Sequence, residues 1–185
     1  CDQLPDEAFW DPMCEVLDWA VEQVTSTLCA CLATHAAFLH FHGIERQPLP
    51  AKRWGVFPHR VVVEHPLVRG INTRFDVPHS RWNDISPGEM NRVDQLVLVE
   101  SPDAGVHLAT SADGFRLVFF QGHPEYDSFS LLKEYKREVN RYLAGEIEDY
   151  PPYPDNYFTE DVFPVLEGFR QEAEHARNKG SEVRA

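Results

Sequence analysis

The sequence predicts an α/β domain, in which helices and short strands are mixed along the chain. Three observations lead to this class: an ordinary globular composition, an apolar helical face near the N-terminus, and short apolar runs that end at Gly, Pro or Asn. The 185 residues are 43% apolar and 25% charged, which excludes a disordered or collagen-like chain. The net charge of −13 argues against nucleic acid or anionic lipid as a partner.

The predicted elements follow in chain order. Apolar side chains spaced three and four residues apart predict a helix over 9–24. A short β-branched and apolar stretch predicts a strand over 25–30, followed by a sharp turn at Cys31 and a helix over 32–42 that Gly43 ends. Short runs bounded by turn residues predict strands over 55–63, 74–77, 93–100, 106–110 and 115–121. Two further helices are predicted over 128–143 and 162–178.

The Pro-rich stretch 150–154 is the first place where composition suggests a domain boundary. We expect one domain over residues 1–150 and an appendage over 151–185 that packs on it. No apolar run approaches the roughly 20 residues that a membrane helix needs, and residues 1–7 are acidic where a signal peptide is basic. We therefore expect a soluble, cytoplasmic protein without membrane contact.

Cys31 is the candidate nucleophile because it lies between a strand and the N-terminus of a helix. Free backbone N–H groups and the helix dipole favour a thiolate at such a position. The same turn brings the N–H of Leu32 beside the sulfur, where it can stabilise the oxyanion formed when the thiolate attacks a carbonyl. A buried core thiol is the alternative interpretation, and Cys29, inside the strand, fits it better.

His123 and Glu125 follow the predicted strand 115–121, after Gly122 releases the chain. A His that leaves a buried strand can face the nucleophile, and a Glu two residues later can orient its imidazole. Together with Cys31 they outline a Cys-His-Glu triad. A capped turn would use the same His-Pro-Glu residues, so the prediction depends on the pairing with the cysteine turn.

A zinc site at Cys29 and Cys31 is the metal alternative, since three histidines follow on the next helix. The one-residue gap between the cysteines is shorter than zinc sites use, and His40 and His42 face apart on a helix. We therefore expect no metal. Nucleotide-dependent chemistry is not supported either, because the sequence contains no Gly-rich phosphate loop.

Several motifs recur in a fixed order along the chain. They are the nucleophile segment at 25–44, Gly-Val-Phe-Pro-His at 55–59, Pro-His-Ser-Arg at 78–81, Gly-His-Pro-Glu-Tyr-Asp at 122–127, Lys-Glu-Tyr with a following Arg at 133–137, and Asn-Tyr-Phe at 156–158. From Gln3 to about Phe158 the chain resembles the homoserine O-acyltransferases, the acetyl- and succinyltransferases of methionine biosynthesis. The resemblance is specific because independent motifs recur at compatible spacing.

The resemblance implies a flavodoxin-like fold of the class I glutamine amidotransferase type, a three-layer sandwich with its nucleophile on an elbow. It also implies that Cys31 takes the acyl group from a coenzyme A thioester. His123 would then be the general base and acid, and Glu125 would hold His123. The implied co-substrate is acetyl-CoA or succinyl-CoA with no bound cofactor. The implied partners are L-homoserine and acyl-CoA, in a homodimer.

Lys52, Ser80 and Arg137 match family positions that contact the substrate. A homoserine zwitterion offers a carboxylate that Lys and Arg bind well, together with polar groups for Ser80. Without the resemblance, Arg137 would be a solvated cation on a helix face beside Glu134 and Glu138. Lys52 and Ser80 would then be ordinary surface residues.

Two departures from the family pattern limit these implications. Family members begin with a long segment that holds the first strands of the sheet, a Gly-Ala-Pro loop and part of the oxyanion hole. This sequence starts directly after that segment, so the missing strands were cleaved, lie outside the given sequence or come from another chain. In addition, Leu32 and His35 stand where the family usually has Trp and Gln. We expect His35 to be packed or solvated rather than to perturb Cys31.

Asp2 bears on the choice of acyl donor. With two residues deleted before Trp10, it aligns with the family position at which a carboxylate accompanies acetyl-CoA and glycine accompanies succinyl-CoA. A carboxylate there would repel the free carboxylate of a succinyl group, so we expect an acetyl donor. The alternatives that remain are a succinyl donor, serine as acceptor, a glutaminase-like amide hydrolase on the same triad, and a non-catalytic binding module.

Overall fold

A computed structural model describes residues 3–179 of the chain. The described residues form helices and a six-stranded sheet, which confirms the α/β class. They group into two compact units that divide between Pro124 and Glu125. The first unit holds the whole sheet, and the second holds the two C-terminal helices. The boundary expected at residue 150 stays a prediction.

Among the described residues, the first unit contains three α-helices and six strands. The helices are α1 (Trp10–Gln23), α2 (Leu32–His42) and α3 (Pro87–Arg92), and the strands are β1 (Thr27–Ala30), β2 (Gln47–Val61), β3 (Arg74–Asp84), β4 (Leu96–Ser101), β5 (Gly105–Thr110) and β6 (Leu117–Phe120). Short 3₁₀ turns occur at Leu4–Asp6 and Pro66–Val68. The second unit contains α4 (Ser130–Leu143) and α5 (Phe163–Lys179).

The largest difference from the predicted elements is the β2–β3 ribbon. β2 begins at Gln47 rather than Gly55, and β3 continues to Asp84 rather than ending at Val77. Both extensions contain charged residues and prolines, which are uncommon in strands, so the sequence pattern does not predict them. The two strands pair with each other from Arg60↔Arg74 to Gln47↔Asp84, with an irregularity between Pro48 and Arg53, and this cross-strand pairing supplies the backbone hydrogen bonds.

Helix α3 is absent from the predicted elements, although its N-terminal residues indicate it. The side chain of Ser86 accepts a hydrogen bond from the Glu89 N–H, and the Glu89 carboxylate accepts one from the Ser86 N–H. This is a capping box, recognisable as Ser followed three residues later by Glu. Val93, expected to begin a strand, is instead the C-cap of this helix.

The sheet has the strand order β1-β6-β5-β4-β2-β3. β1 and β6 are parallel, with Ala30 beside Phe120, and the remaining neighbours are antiparallel. Parallel neighbours end at the same edge of a sheet, so the residues that follow β1 and β6 emerge side by side. The candidate nucleophile and the His123 segment are these residues.

Core residues alternate between the two faces of the sheet, as the two-residue strand repeat requires. Leu117 and Phe119 pack with α2 through Ala36, Ala37 and Phe38 on one face. Val118, between them, packs on the opposite face with strand residues and the 3₁₀ turn at Val68. The helix α2 is therefore fixed against the strand that precedes His123.

The second unit is organised around aromatic side chains. The hydroxyl groups of Tyr135 on α4 and Tyr150 lie 3.0 Å apart, and the rings of Tyr135 and Phe158 meet edge to face. Arg177 of α5 donates to the Ile147 carbonyl at 2.6 Å, and its guanidinium lies over the ring of Tyr142. The Pro-rich stretch is thus packed against α4.

Within residues 3–179 no helix combines the length and apolar character needed to cross a membrane.

Candidate active site

Cys31 forms the sharp turn between β1 and α2. Its backbone has φ 47° and ψ −106°, a conformation that residues with a side chain rarely adopt. The Cys31 N–H donates to the Phe120 carbonyl at 2.7 Å, and its own carbonyl accepts from the His35 N–H at 3.2 Å. Hydrogen bonds on both sides therefore hold the strained turn, and the thiol is presented at the end of the strand as in a nucleophile elbow.

Thr34 ties this turn to both parallel strands. Its hydroxyl is fully buried and lies 2.8 Å from the Cys29 carbonyl and 2.9 Å from the Phe120 carbonyl. Leu32 is the first residue of α2, so its N–H has no acceptor within the helix. The position expected for an oxyanion donor is therefore the N-terminal N–H of a helix that is fixed to the sheet.

Cys29 differs from Cys31 in its surroundings. Its side chain lies inside β1, 2% exposed, and burial raises the pKa of its thiol to about 11. A thiol in such a site stays protonated at neutral pH, which matches the interpretation of Cys29 as a core residue.

Within residues 3–179, no cluster of three or more His, Cys, Asp or Glu side chains is arranged to hold a metal ion.

His123 follows β6 and is held by the far edge of the sheet. Its N–H donates to the Pro78 carbonyl of β3 at 2.9 Å. β3 and β6 are far apart in the strand order. The hydrogen bond between His123 and Pro78 therefore means that the sheet is curled, so that β3 contacts the segment after β6. The imidazole of His123 is largely buried, at 9% exposure for the residue.

Gly122 permits this close approach. A Cβ at this position would lie 2.7 Å from His107 Nδ1, 2.8 Å from Val77 Cγ1 and 3.0 Å from His79 Cε1. Real Cβ atoms essentially never come so near to other heavy atoms. Only glycine therefore lets the backbone before His123 pack against β3 and β5.

A buried chain of hydrogen bonds lies beneath this segment, and none of its residues is a predicted site residue. Arg81 Nε donates to His79 Nδ1 at 3.3 Å, His79 Nε2 lies 3.1 Å from His59 Nε2, and His59 Nδ1 lies 2.9 Å from the Phe57 carbonyl. The carbonyl can only accept and the guanidinium can only donate, so both imidazoles are neutral and every hydrogen bond runs from Arg81 towards Phe57. The sequence signal for this hydrogen-bond chain is the pair His79 and Arg81, which lie two residues apart on the buried face of β3.

Arg81 is held from both sides. Its guanidinium donates to Asp84 Oδ1 and to the Asn83 carbonyl, each at 2.7 Å, and to the Ala104 carbonyl at 2.5 Å. Burial lowers the pKa of Arg81, whereas the negative charge of Asp84, and that of a thiolate formed at Cys31, act in the opposite direction. The guanidinium is thus a buried cation within electrostatic reach of the candidate nucleophile.

Lys52 and Ser80 lie on one face of the β2–β3 ribbon. Ser80 is directly across from Trp54, and Lys52 places its ammonium 4.1 Å from the Trp54 ring centroid. Directly opposed residues share a face, as do residues two apart on a strand. The structure therefore brings together two of the three residues expected to contact the substrate.

The remaining expected residues belong to the second unit or lie outside the described residues. Glu125 is the first residue of the second unit and is exposed. Arg137 is an exposed residue of α4 that pairs with Glu138 at 3.2 Å, the ion pair that a solvated helix face would make. Asp2 lies outside the described residues.

The chain is similar to known proteins over nearly its whole length. A family model described as HTS, homoserine O-succinyltransferase, matches residues 2–173. The chain belongs to the homoserine O-succinyltransferase family. A homoserine O-succinyltransferase of Methylobacter tundripaludum is 57% identical over 182 residues, covering 98% of this chain and 51% of the relative. One from Allochromatium vinosum is 59% identical over 175 residues, covering 94% and 49%. The chain spans about half the length of these curated relatives.

Solved structures agree with the expected fold of this family member. A glutamine amidotransferase from Methylobacillus flagellatus superposes with a TM-score of 0.60 at 16% identity, covering 97% of this chain and 73% of the other. One from Thermotoga maritima gives 0.53 at 13% identity, covering 91% and 66%. At such identities the likeness concerns the fold alone. It confirms the class I glutamine amidotransferase type.

The close packing at Gly122 can be tested in this homoserine O-succinyltransferase family member by replacing it with alanine. Since the added Cβ meets His107 and Val77 at under 3 Å, we expect Gly122→Ala to lower the free energy of unfolding by about 1–3 kcal/mol. Gly88→Ala is the control, because a Cβ there meets only Ser86 Oγ at 3.9 Å. Chemical denaturation of both variants measures the difference, and equal stability would contradict the packing argument.

The buried histidines predict acid sensitivity. Burial lowers the pKa of His35 to about 4 and that of His107 to about 3, and it also lowers the pKa of His79. An unfolded chain protonates these imidazoles below about pH 6.5, whereas the folded protein keeps them neutral. We therefore expect the free energy of unfolding to fall as the pH drops from about 6.5 towards 5. Each such histidine contributes up to about 1.4 kcal/mol per pH unit.

Urea unfolding between pH 7.5 and 5 measures this slope before carboxylates begin to titrate. We expect His35→Gln to reduce the slope, since one buried imidazole is removed. The exposed His175→Gln is the matched control and leaves the slope unchanged. A free energy of unfolding that stays constant over this pH range would show that the buried imidazoles are not held neutral.

Proposed function

We propose that the complete protein transfers a succinyl group from succinyl-CoA to the hydroxyl of L-homoserine, through a thioester on Cys31. The observation that carries the proposal is the strained, hydrogen-bonded Cys31 turn beside the segment that bears His123, in a chain of this family. The homodimer expected from the family resemblance stays a prediction.

In the first half-reaction the sulfur of Cys31 attacks the thioester carbonyl of succinyl-CoA. His123 accepts the thiol proton, and the Leu32 N–H stabilises the oxyanion of the tetrahedral intermediate. The C–S bond to coenzyme A then breaks, and His123 returns the proton to the departing thiolate. The products are free coenzyme A and a succinyl thioester on Cys31.

In the second half-reaction the hydroxyl of homoserine attacks the thioester on Cys31. His123 now takes the hydroxyl proton and delivers it to the sulfur as the C–S bond breaks, which releases the ester and restores the thiol. We propose that Glu125 orients the His123 imidazole. Lys52, Ser80 and Arg137 are proposed to hold homoserine, with the two cations available for its carboxylate.

The proposed donor differs from the acetyl donor expected from Asp2. Relatives at 57% and 59% identity are named homoserine O-succinyltransferases, and these support the succinyl alternative. The argument from Asp2 used one position and an alignment gap, whereas the relatives match over nearly the whole chain. We therefore base the proposed donor on these relatives and not on the carboxylate of Asp2.

The thioester is tested by mixing the complete protein with succinyl-CoA in the absence of homoserine. We expect intact mass and peptide mapping to show one succinyl group on Cys31, because the first half-reaction needs no acceptor. Cys31→Ala should remain unlabelled. Cys29→Ser is the matched control, since its buried thiol takes no part, and it should be labelled like the wild type. Turnover by a protein whose Cys31 stays unmodified would contradict the mechanism.

Donor choice is tested by comparing kcat/KM for succinyl-CoA and acetyl-CoA in the wild type and in Asp2→Gly. We expect the wild type to prefer succinyl-CoA by at least about tenfold, a difference of about 1.4 kcal/mol in transition-state binding. Serine in place of homoserine tests the acceptor in the same assay. A wild-type preference for acetyl-CoA that reverses in Asp2→Gly would restore the acetyl assignment.

A further inference from the structure

Gln121 connects the candidate site to the rest of the first unit. It is the residue just before Gly122 and His123, and it is fully buried. Its Oε1 accepts from the Ile85 N–H at 2.8 Å, and its Nε2 donates to the Ile85 carbonyl at 2.9 Å and to the Val106 carbonyl at 3.2 Å. Both ends of the carboxamide are paired with Ile85, so its orientation is fixed.

His35 completes this cluster from the nucleophile helix. Its Nε2 lies 3.2 Å from Gln121 Oε1, and the residue is 2% exposed. A carboxamide oxygen only accepts, so His35 Nε2 carries the proton and donates it. The His35 backbone N–H bonds to the Cys31 carbonyl at 3.2 Å, which makes His35 part of the turn that presents the nucleophile.

The pair therefore joins the two segments that the reaction needs. Cys31 lies one helical turn before His35, and His123 lies two residues after Gln121. The Gln121 carboxamide also reaches β5 at Val106 and the turn between β3 and α3 at Ile85. This hydrogen bond links α2, which begins directly after Cys31, to the end of β6, which leads to His123.

We propose that His35 and Gln121 are positioning residues, whose hydrogen bond sets the geometry for proton transfer between Cys31 and His123. The inference rests on the proposed function and adds to it two residues that touch no substrate. His35 acts through its link to Gln121 and not as a second base, because its Nε2 proton is donated within the core.

The test compares His35→Phe, which keeps a buried ring but removes the donor, with His35→Gln, which keeps an N–H donor. We expect His35→Phe to lower kcat about 10–100-fold with KM for succinyl-CoA and homoserine unchanged, since small misplacements of reacting groups cost rates of this order. His35→Gln should keep most of the rate. His40→Gln, on the same helix but paired with Asp18 at 2.7 Å, is the matched control and should match the wild type.

A second measurement does not depend on succinyl transfer. Alkylation of Cys31 by iodoacetamide, followed against pH, reports how well His123 draws the proton from the thiol. We expect His35→Phe to slow this alkylation about tenfold near neutral pH and to change its pH profile. If the wild type transfers no succinyl group but alkylation changes as expected, the proposed function fails and the positioning inference stands.

Gln121→Met provides an independent variant that keeps the side-chain length and removes the carboxamide. It should reproduce the loss of kcat and the slower alkylation while circular dichroism still shows a folded protein. Folded His35→Phe and Gln121→Met proteins with wild-type kcat and alkylation would overturn the proposal. Loss of folding in both variants would also overturn it, because the pair would then be structural only.

Discussion

The candidate active site depends on the parallel pairing of β1 with β6. This pairing sets Ala30 beside Phe120, so that Cys31 and the segment leading to His123 emerge from one edge of the sheet. The strained Cys31 turn costs on the order of 1–3 kcal/mol, and it persists because its N–H is bonded to Phe120 and its carbonyl to His35. The candidate nucleophile Cys31 thus follows the strand next to the one that precedes His123.

The interior beneath this edge is unusually polar. Histidines and Arg81 occupy core-facing positions of β2, β3 and β5, where apolar side chains would ordinarily pack. Arg81, His79 and His59 are tolerated because each donates a hydrogen bond to the next group, from Arg81 to the Phe57 carbonyl, so that both imidazoles stay neutral. The same arrangement makes the free energy of unfolding depend on pH, because the buried imidazoles stay neutral at a pH at which the unfolded chain protonates them.

Family and fold carry different information for this protein. The fold is shared with glutamine amidotransferases at 13–16% identity, a level at which chemistry is not inherited with architecture. The succinyltransferase relatives match at 57% and 59% identity over nearly the whole chain, a length that spans the turn, the His-Pro-Glu segment and the ribbon. The proposed chemistry therefore rests on particular residues, and the common scaffold explains only why Cys31 and His123 follow neighbouring parallel strands.

Local patterns in the sequence are sufficient to predict the α/β class, the helices α1, α2 and α4, the turn at Cys31 and the strand that ends before His123. Each of these is encoded by neighbouring residues, through helical spacing, β-branching or a glycine at a turn. The length of the β2–β3 ribbon, the requirement for Gly122 and the link from His35 to Gln121 depend on tertiary contacts. These features join residues far apart in the chain, such as Gln121 and Ile85, and the curl of the sheet that brings them together leaves no local pattern.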